Sequence, residues 1–363
     1  MSSRGVKMKS LTDVMIGVQS GRERECDVPA EVLEFILSQL NLRDNIRASA
    51  VCRRWLTAAV SVRLSNRRSL LMCFPKHGDL HEFYDPSDRK TYHLDLPELR
   101  GSRILYAKGN WLLLGRPSTQ ELQDVFFFCP YTREMIMLPK LPIEYQKVAF
   151  SCAPTSSDCV VFAVISIFFI HTCHPGETEW NVLVYHNPQE ESIRNPWHHQ
   201  IVFSNAHIYL LNVFGQVGCF NLANNTWKAY TFPAPKCTLD LPFENRWSAK
   251  FMAEHDGKIY VICTCAAENP VIYRFDGTWT EVVSLGGMTL FANASSSLAR
   301  TGLAGKLAGN VVFPKILLYG RRCVTYYPSS GRYYPRNQLY NWNEEEQMDN
   351  VWIDAPNDAS IFL

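Results

Sequence analysis

The chain has 363 residues, of which 47% are apolar and 20% are charged. This composition supports a buried core and excludes a chain that is disordered, collagen-like or coiled-coil throughout. The 36 basic and 35 acidic residues leave a formal net charge of +1, so no overall field attracts nucleic acid or an anionic membrane.

Charge and hydropathy differ along the chain. Residues 1–68 hold 12 basic and 7 acidic residues, whereas residues 69–363 hold 24 and 28. Residues 1–26 are expected to be flexible, and they lack the apolar stretch and cleavage site of a signal peptide. The longest apolar run, Cys159–Ile170, is shorter than the roughly 20 residues of a membrane span. We therefore expect a reducing compartment, cytoplasmic and/or nuclear, and no membrane partner.

A helical periodicity is confined to residues 27–65. Pro29 and Glu31 mark a helix start, and Asp44 is expected to cap a second helical stretch. The apolar positions that define the first helix are Val32, Leu33, Ile36, Leu37 and Leu40. A module of about forty residues buries its apolar side chains poorly, so part of this face is expected to meet a partner.

Three blocks within this region resemble the F-box. They are Val28-Pro29 with Glu31-Val32-Leu33, then Ile36-Leu37-Ser38-Gln39-Leu40, then Val51-Cys52-Arg53-Arg54-Trp55. The F-box pattern opens with Leu-Pro and closes with Val-Cys-Lys/Arg-x-Trp. The resemblance implies a three-helix module that docks on the Skp-type adaptor of a cullin ubiquitin ligase. The residues it assigns to that contact are Val28, Pro29, Val32, Leu33, Ile36, Leu37, Leu40, Val51, Cys52 and Trp55.

Two other interpretations of this helical region remain. The helices could form a cap that packs on the rest of the chain, or a helix-turn-helix that binds phosphates. The second would use Arg53, Arg54, Arg63, Arg67 and Arg68. Because these arginines lack a neighbouring set of Asn, Gln and Ser side chains for reading bases, the pattern does not favour a nucleic-acid partner.

Short β-rich segments repeat from residue 69 to residue 355. Turn residues that precede an apolar run recur at spacings of 48, 48, 52 and 52, at Gly109, Ser157, Asn205, Gly257 and Gly309. Six junctions of an aromatic or similar residue with a turn residue follow, at Tyr84-Asp85, Cys129-Pro130, His186-Asn187, Phe220-Asn221, Phe275-Asp276 and Tyr327-Pro328. Four strands in about 50 residues are typical of a propeller blade, so the pattern predicts an all-β propeller with six blades.

The first of these blades is incomplete in sequence. Val351–Ile353 is predicted to supply its closing strand, which leaves residues 356–363 as a C-terminal tail. Residues 69–355 resemble the kelch-like propeller of plant F-box proteins. Kelch blades usually carry a Gly-Gly pair in each repeat, and this chain has one such pair, Gly286-Gly287.

No catalytic, cofactor-binding or metal-binding residue is predicted. Residue types that zinc accepts occur at His171, Cys173, His174, His198 and His199. Their spacing lacks a Cys-x-x-Cys partner, so a loop with incidental histidines is favoured. Gly302–Lys306 lacks the spacing of a phosphate loop and is predicted to be a turn. No cofactor is expected.

Together these features predict a non-enzymatic substrate-recognition subunit of an SCF-type (Skp, cullin, F-box) ubiquitin ligase. The helical module of residues 27–65 would bind the adaptor and, through it, cullin, while the propeller would hold an unidentified target protein. Candidate target loops are His174–Trp180, Gln189–His199 and Pro233–Trp247. The alternatives are a propeller-fold oxidoreductase and a nucleic-acid-binding regulator, each with a helical appendage.

Overall fold

Helices give way to strands near residue 68 of the computed structural model. The residues that the structure describes are 28–40, 42–65, 68–143, 145, 147–166, 169–184, 198–212, 215–231, 233, 249–264, 268–303, 305–314, 323–334 and 350–355. None of their helices is both long enough and apolar enough to cross a membrane.

Three short helices form the head, namely α1 (Ala30–Ser38), α2 (Leu42–Ser49) and α3 (Arg53–Ser65). The prediction of a three-helix module is confirmed. Asp44 lies in the first turn of α2 and not at its cap, because the helix begins at Leu42, three residues earlier than a cap at Asp44 predicts. Its carboxylate still lies at the helix end that favours negative charge.

The described strands form six sheets, which follow one another around a ring as blades 1 to 6. The first three blades are four-stranded and antiparallel. Blade 1 contains β1 (Ser69–Cys73), β2 (Leu80–Asp85), β3 (Lys90–Asp95) and β25 (Asn350–Asp354). Blade 2 contains β4 (Arg103–Lys108), β5 (Trp111–Pro117), β6 (Leu122–Phe128) and β7 (Met135–Pro142). Blade 3 contains β8 (Lys147–Phe150), β9 (Val161–Ser166), β10 (Phe169–Cys173) and β11 (Asn181–Val184).

Blades 4 and 5 repeat this plan, and blade 6 departs from it. Blade 4 contains β12 (His198–Ser204), β13 (His207–Asn212), β14 (Gln216–Asn221) and β15 (Thr226–Thr231). Blade 5 contains β16 (Ala249–His255), β17 (Lys258–Thr264), β18 (Val271–Phe275) and β19 (Trp279–Glu281). Blade 6 contains β20 (Thr289–Phe291), β21 (Leu298–Arg300), β22 (Val311–Pro314), β23 (Cys323–Tyr327) and β24 (Arg332–Tyr334). In this five-stranded variant of the blade, β20 runs parallel to β22.

The prediction of a six-bladed all-β body is confirmed, and most of its sequence anchors fall where expected. The five apolar runs lie in β5, β9, β13, β17 and β22. Four of the five turn residues before them adopt left-handed backbone, with φ of 65° at Gly109 and 48° at Asn205, and Ser157 is the exception. Glycine and asparagine adopt that region at low cost.

In blade 3, the predicted junction between the end of the third strand and the following turn is misplaced. Its residues, His186 and Asn187, lie outside the described residues, whereas the third strand β10 already ends at Cys173. With Cys173 as the junction, the neighbouring spacings become 44 and 47 residues, which are close to those of the other blades. The aromatic-turn signal failed here because His186 follows the fourth strand and not the third.

The ring is closed by the C-terminal strand, as predicted. β25 pairs antiparallel with β1, and Leu71 lies opposite Trp352 in the register. Trp352 is fully buried, and its indole Nε1 donates a hydrogen bond to the carbonyl of Ala292 in blade 6, at 2.9 Å. Beside it, Arg300 Nη2 lies 2.6 Å from Asp354 Oδ1. Blades 6 and 1 are therefore joined by packing, hydrogen bonds and an ion pair.

Candidate functional site: the exposed face of the helical head

Helix α1 has two apolar faces, of which one is buried and the other is exposed. Leu33 and Leu37 are fully buried, in a small core that also contains Ala58, Ala59 and Val62 of α3. Val32, Phe35 and Ile36 are 46%, 68% and 41% exposed. Residues three and four apart share a helix face, so these three side chains form one apolar surface that the chain itself leaves uncovered.

The two ends of α1 are held by different contacts. At its start, the Pro29 carbonyl accepts a hydrogen bond from the Leu33 amide at 3.0 Å, while the Pro29 ring is exposed. At its end, the buried Asn45 side chain of α2 donates Nδ2 to the Leu37 carbonyl at 3.1 Å. The Leu37 carbonyl also accepts a hydrogen bond from the Leu40 amide at 3.3 Å, so the Asn45 bond adds a second partner at the end of α1 and ties it to α2.

The start of α3 adds further exposed apolar groups. Val51 is 64% exposed, and Cys52 beside it is also exposed. Leu56 and Val60 are exposed too and lie one turn apart on α3, so they share a face. Trp55 is half-buried and packs against the core of the head.

The structure divides the ten residues predicted to bind the adaptor. Five are exposed, namely Pro29, Val32, Ile36, Val51 and Cys52. Three are half-buried, namely Val28, Leu40 and Trp55. The remaining two, Leu33 and Leu37, are fully buried against α3 and hold the head together. Their contribution to an anchor face for the adaptor stays a prediction. A contact of the exposed residues with the adaptor stays a prediction.

Sequence analysis missed three exposed apolar residues, Phe35, Leu56 and Val60. The sequence pattern placed Val32, Leu33, Ile36, Leu37 and Leu40 on a single face, whereas positions 32 and 33 lie about 100° apart around the helix. A signal for Phe35 existed, because it lies three residues after Val32 and directly before Ile36.

Arg68 connects the head to the propeller. Its Nη2 donates a hydrogen bond to the carbonyl of Leu40, at 2.6 Å, and its Nη1 lies 3.3 Å from the buried carboxylate of Asp85. Its own carbonyl accepts a hydrogen bond from the Ala355 amide at 2.8 Å, next to the closing strand. One residue thus touches the head, blade 1 and the site of ring closure.

A cavity of about 390 Å³ lies at the centre of the ring, where the innermost strands of the blades end, and we call it the channel mouth. Lys108, Glu254, Arg300 and Asp354 contribute its charged groups. Burial lowers the pKa of the Lys108 ammonium, and the Glu254 carboxylate opposes that shift. Glu254 Oε1 also accepts a hydrogen bond from the Gly257 amide at 3.0 Å. The charged groups of four different strands therefore meet at this mouth.

The candidate zinc ligands of the sequence do not assemble within the described residues. His171 lies on β10, and burial lowers its pKa, while burial raises the pKa of the Cys173 thiol to about 12. The side chains of His198 and His199 lie outside the described residues. No group of three or more His, Cys, Asp or Glu side chains in the described part of the chain could hold a metal ion.

One of the three candidate target loops is described in full. In His174–Trp180 the His174 amide donates a hydrogen bond to Glu177 Oε2 at 2.8 Å, and Trp180 Nε1 donates to the Pro139 carbonyl at 3.0 Å. This loop is therefore fastened to blade 2. Residues 189–197 and 234–247, which make up most of the other two loops, lie outside the described residues.

Comparison with known proteins agrees with this architecture. An F-box-like family model matches residues 26–70, and the KIB1-4 beta-propeller model matches residues 83–326. F-box/kelch-repeat protein At1g57790 of Arabidopsis thaliana is 35% identical, covering 92% of this chain and 95% of that protein. F-box protein At4g00893 of Arabidopsis thaliana is 34% identical, covering 91% and 86%.

Solved structures are more distant. TolB from Acinetobacter baumannii is 11% identical, covers 73% of this chain and 62% of its own, and has a TM-score of 0.41. That similarity is too low to bear on function. The resemblance drawn from the Val-Pro and Val-Cys-Arg-Arg-Trp blocks is confirmed by the family models and the relatives. The chain belongs to the F-box proteins that carry a KIB1-4 β-propeller.

Proposed function

We propose that this protein is the substrate-recognition subunit of an SCF-type ubiquitin ligase. The F-box is a module for binding a Skp-type adaptor, and the proposal adds the link through that adaptor to cullin. In this arrangement the propeller holds a target protein, and other subunits transfer ubiquitin. The protein would act in the cytoplasm and/or nucleus.

The observation that carries the proposal is the uncovered face of α1. Val32, Phe35 and Ile36 are exposed although the neighbouring Leu33 and Leu37 are fully buried. Apolar side chains grouped on one helix face lose water-exposed area when a partner covers them, at about 25 cal/mol per Å². Aromatic and aliphatic anchors of this kind supply most of the binding energy in protein interfaces.

The mechanism requires no catalytic side chain from this chain. Holding a target lysine near a charged conjugating enzyme turns an encounter between two molecules into an event within one complex. The effective concentration then depends on how firmly the head is positioned relative to the propeller. The bonds of Arg68 to Leu40 and Asp85 supply one such constraint.

Alanine substitution of Phe35 and Ile36 tests the head. The double variant Phe35→Ala and Ile36→Ala should weaken adaptor binding by at least about 100-fold, because truncating an interface anchor typically costs roughly 2 kcal/mol or more. Alanine favours helix, so α1 should persist. Binding would be measured by calorimetry with purified Skp-type adaptor, followed by recovery of cullin from lysate.

Val283 of the propeller provides a matched control for this test. It is 78% exposed, more than either substituted residue, and it lies outside the head. Val283→Ala should leave adaptor binding unchanged. Equal loss of binding in both variants, or no adaptor binding by the natural chain, would contradict the proposal.

A further inference from the structure

A groove of about 730 Å³ lies on the propeller face opposite the head. Arg68 precedes β1 and contacts the head, whereas Phe74, which follows β1, lines the groove. Five residues of strand separate the two faces by about 16 Å. The groove also takes residues from the starts of β4 and β8, so blades 1, 2 and 3 all contribute to it.

The described lining of the groove is basic. It contains Lys76, His77, Arg100, Arg103 and Lys147, and no described lining residue is acidic. Arg100 is paired, since its Nε lies 3.1 Å from Asp79 Oδ1 just outside the lining. Lys76 and Arg103 have no acidic partner within salt-bridge distance among the described residues, and both are exposed. Within the described residues, these two cations are thus left for a ligand to pair with.

The Arg103 guanidinium is held in place before any ligand arrives. It stacks over the Tyr145 ring at 5.3 Å, and its Nη2 donates a hydrogen bond to Gln123 Oε1 at 3.0 Å. Gln123 is fully buried. Its side chain fits because residue 115 is glycine, since a Cβ at that position would lie only 2.4 Å from Gln123 Oε1. A guanidinium held in this way loses little freedom on binding a carboxylate.

Apolar groups form the rest of the wall. Phe74, Leu105, Ile143 and Val148 line the groove beside the cations. His81 packs edge-on against Phe74, with ring centres 4.9 Å apart, and its Nδ1 lies 2.8 Å from the Asp79 carbonyl oxygen. Cations beside apolar walls suit a ligand that offers carboxylates together with apolar side chains.

The groove is basic, whereas residues 69–363 as a whole carry a net negative charge. Residues 69–363 hold 24 basic and 28 acidic residues, so the propeller half repels a long polyanion while the groove attracts a short one. The Tyr145 ring is already covered by Arg103, which removes a platform on which a nucleotide base could stack. A short acidic peptide fits this balance better than nucleic acid or a membrane.

We propose that this groove binds an acidic segment of the target protein, with Arg103 and Lys76 pairing with its carboxylates and the Phe74 wall holding an apolar side chain. The inference rests on the proposed function, because it takes the propeller as the part that holds the target. It places target binding on the face that points away from the head.

Selection from a random peptide library tests the groove while the target is still unidentified. A library of twelve-residue peptides displayed on phage would be panned against the full chain. Enriched peptides should be rich in Asp and Glu and should contain an apolar residue. A synthetic copy of the most enriched peptide should lose at least about 10-fold in affinity when Lys76→Gln and Arg103→Gln are combined.

Controls separate charge from folding. Lys258→Gln combined with Arg332→Gln removes two exposed basic side chains elsewhere on the propeller and should leave the peptide affinity unchanged. Lys76→Gln alone alters an exposed side chain with no hydrogen bond or ion pair among the described residues, so weaker binding by this variant reports on the groove and not on the fold. Unfolding midpoints of all variants would be measured alongside.

Several outcomes would overturn the groove proposal. Enriched peptides that are not acidic, or acidic peptides that bind the groove variants unchanged, would do so. Tighter binding of a twenty-nucleotide DNA strand or of phosphatidylserine vesicles through the same two cations would also do so. Adaptor binding, measured on the same variants, keeps the two ideas apart. Loss of peptide binding with intact adaptor binding supports the groove, and a chain that binds peptide but no adaptor contradicts only the ligase role.

Discussion

The head and the propeller differ in how completely each covers its own apolar surface. Six large apolar side chains are exposed in the described part of the head, and eight are exposed in the much longer described part of the propeller. The C-terminal strand β25 pairs with β1 and closes the ring, so β1 is not left as an edge of blade 1. The head therefore leaves more of its apolar surface uncovered for its size than the propeller does, which agrees with the proposal that a partner covers the head.

Removing the closing strand should have the largest effect on this comparison. A chain that ends at residue 349 leaves β1 without its partner β25 and exposes an unpaired edge in blade 1. We expect aggregation and loss of most sheet signal, measured by size-exclusion chromatography and circular dichroism. A chain that ends at residue 355 keeps the strand and should remain monomeric. A well-behaved monomer from the shorter chain would show that the propeller does not depend on closure.

The next largest effect should come from the buried face of α1. Leu33→Ala removes a fully buried side chain and should lower the free energy of unfolding of the head by about 2–5 kcal/mol. Phe35→Ala, on the exposed face, should change it by less than about 0.5 kcal/mol. Hydrogen exchange of the α1 and α3 amides distinguishes these two results. Equal effects of the two substitutions would refute the division of α1 into a core face and a partner face.

Arg68 tests whether head and propeller behave as separate units. Arg68→Ala removes the bond to the Leu40 carbonyl and leaves the buried Asp85 carboxylate without its cation. We expect a loss of about 1.5–3 kcal/mol in unfolding free energy, with faster amide exchange in both regions. Arg332→Ala, which removes an exposed arginine of blade 6, is the control. Faster exchange in only one region would indicate that Arg68 does not couple them.

The smallest effect concerns acid stability of the propeller. Burial lowers the pKa of His81 in the folded chain below its ordinary 6.5, so the unfolded chain takes up a proton more readily. Stability from this group is therefore complete above about pH 6.5 and declines as the pH falls. His81→Gln should narrow the difference in unfolding midpoint between pH 7.5 and pH 5.5. An unchanged difference would assign the acid sensitivity to other groups, such as His171, whose pKa is also lowered by burial.

Much of the fold could be predicted because local signals and packing agree. The turn residues before the apolar runs, such as Gly109 and Asn205, adopt backbone that few other residue types tolerate. The closing strand could be placed because blade 1 was short of one strand and Val351–Ile353 had no other blade to join. The parallel pairing of β20 with β22 could not be predicted, since it depends on contacts between distant strands and not on a local pattern.

The candidate site was predicted only in part. Ten residues of the head were predicted to contact the adaptor, but Phe35, Leu56 and Val60 were missed, because the division of the apolar positions into buried and exposed sets depends on where α3 packs against α1. No sequence motif marks the groove, because its cations include Lys76, Arg103 and Lys147, which lie far apart in sequence and on three different blades. Such a cluster becomes visible only when the ring is assembled.

Closure of the ring by β25 also sets the order in which the chain can mature. The head is made before the propeller during translation, and its three helices depend on contacts within about forty residues. Blade 1 waits for its last strand until blades 2 to 6 have been synthesised, so one side of β1 remains unpaired during elongation. A nascent chain can therefore present a finished helical module long before it has a finished propeller.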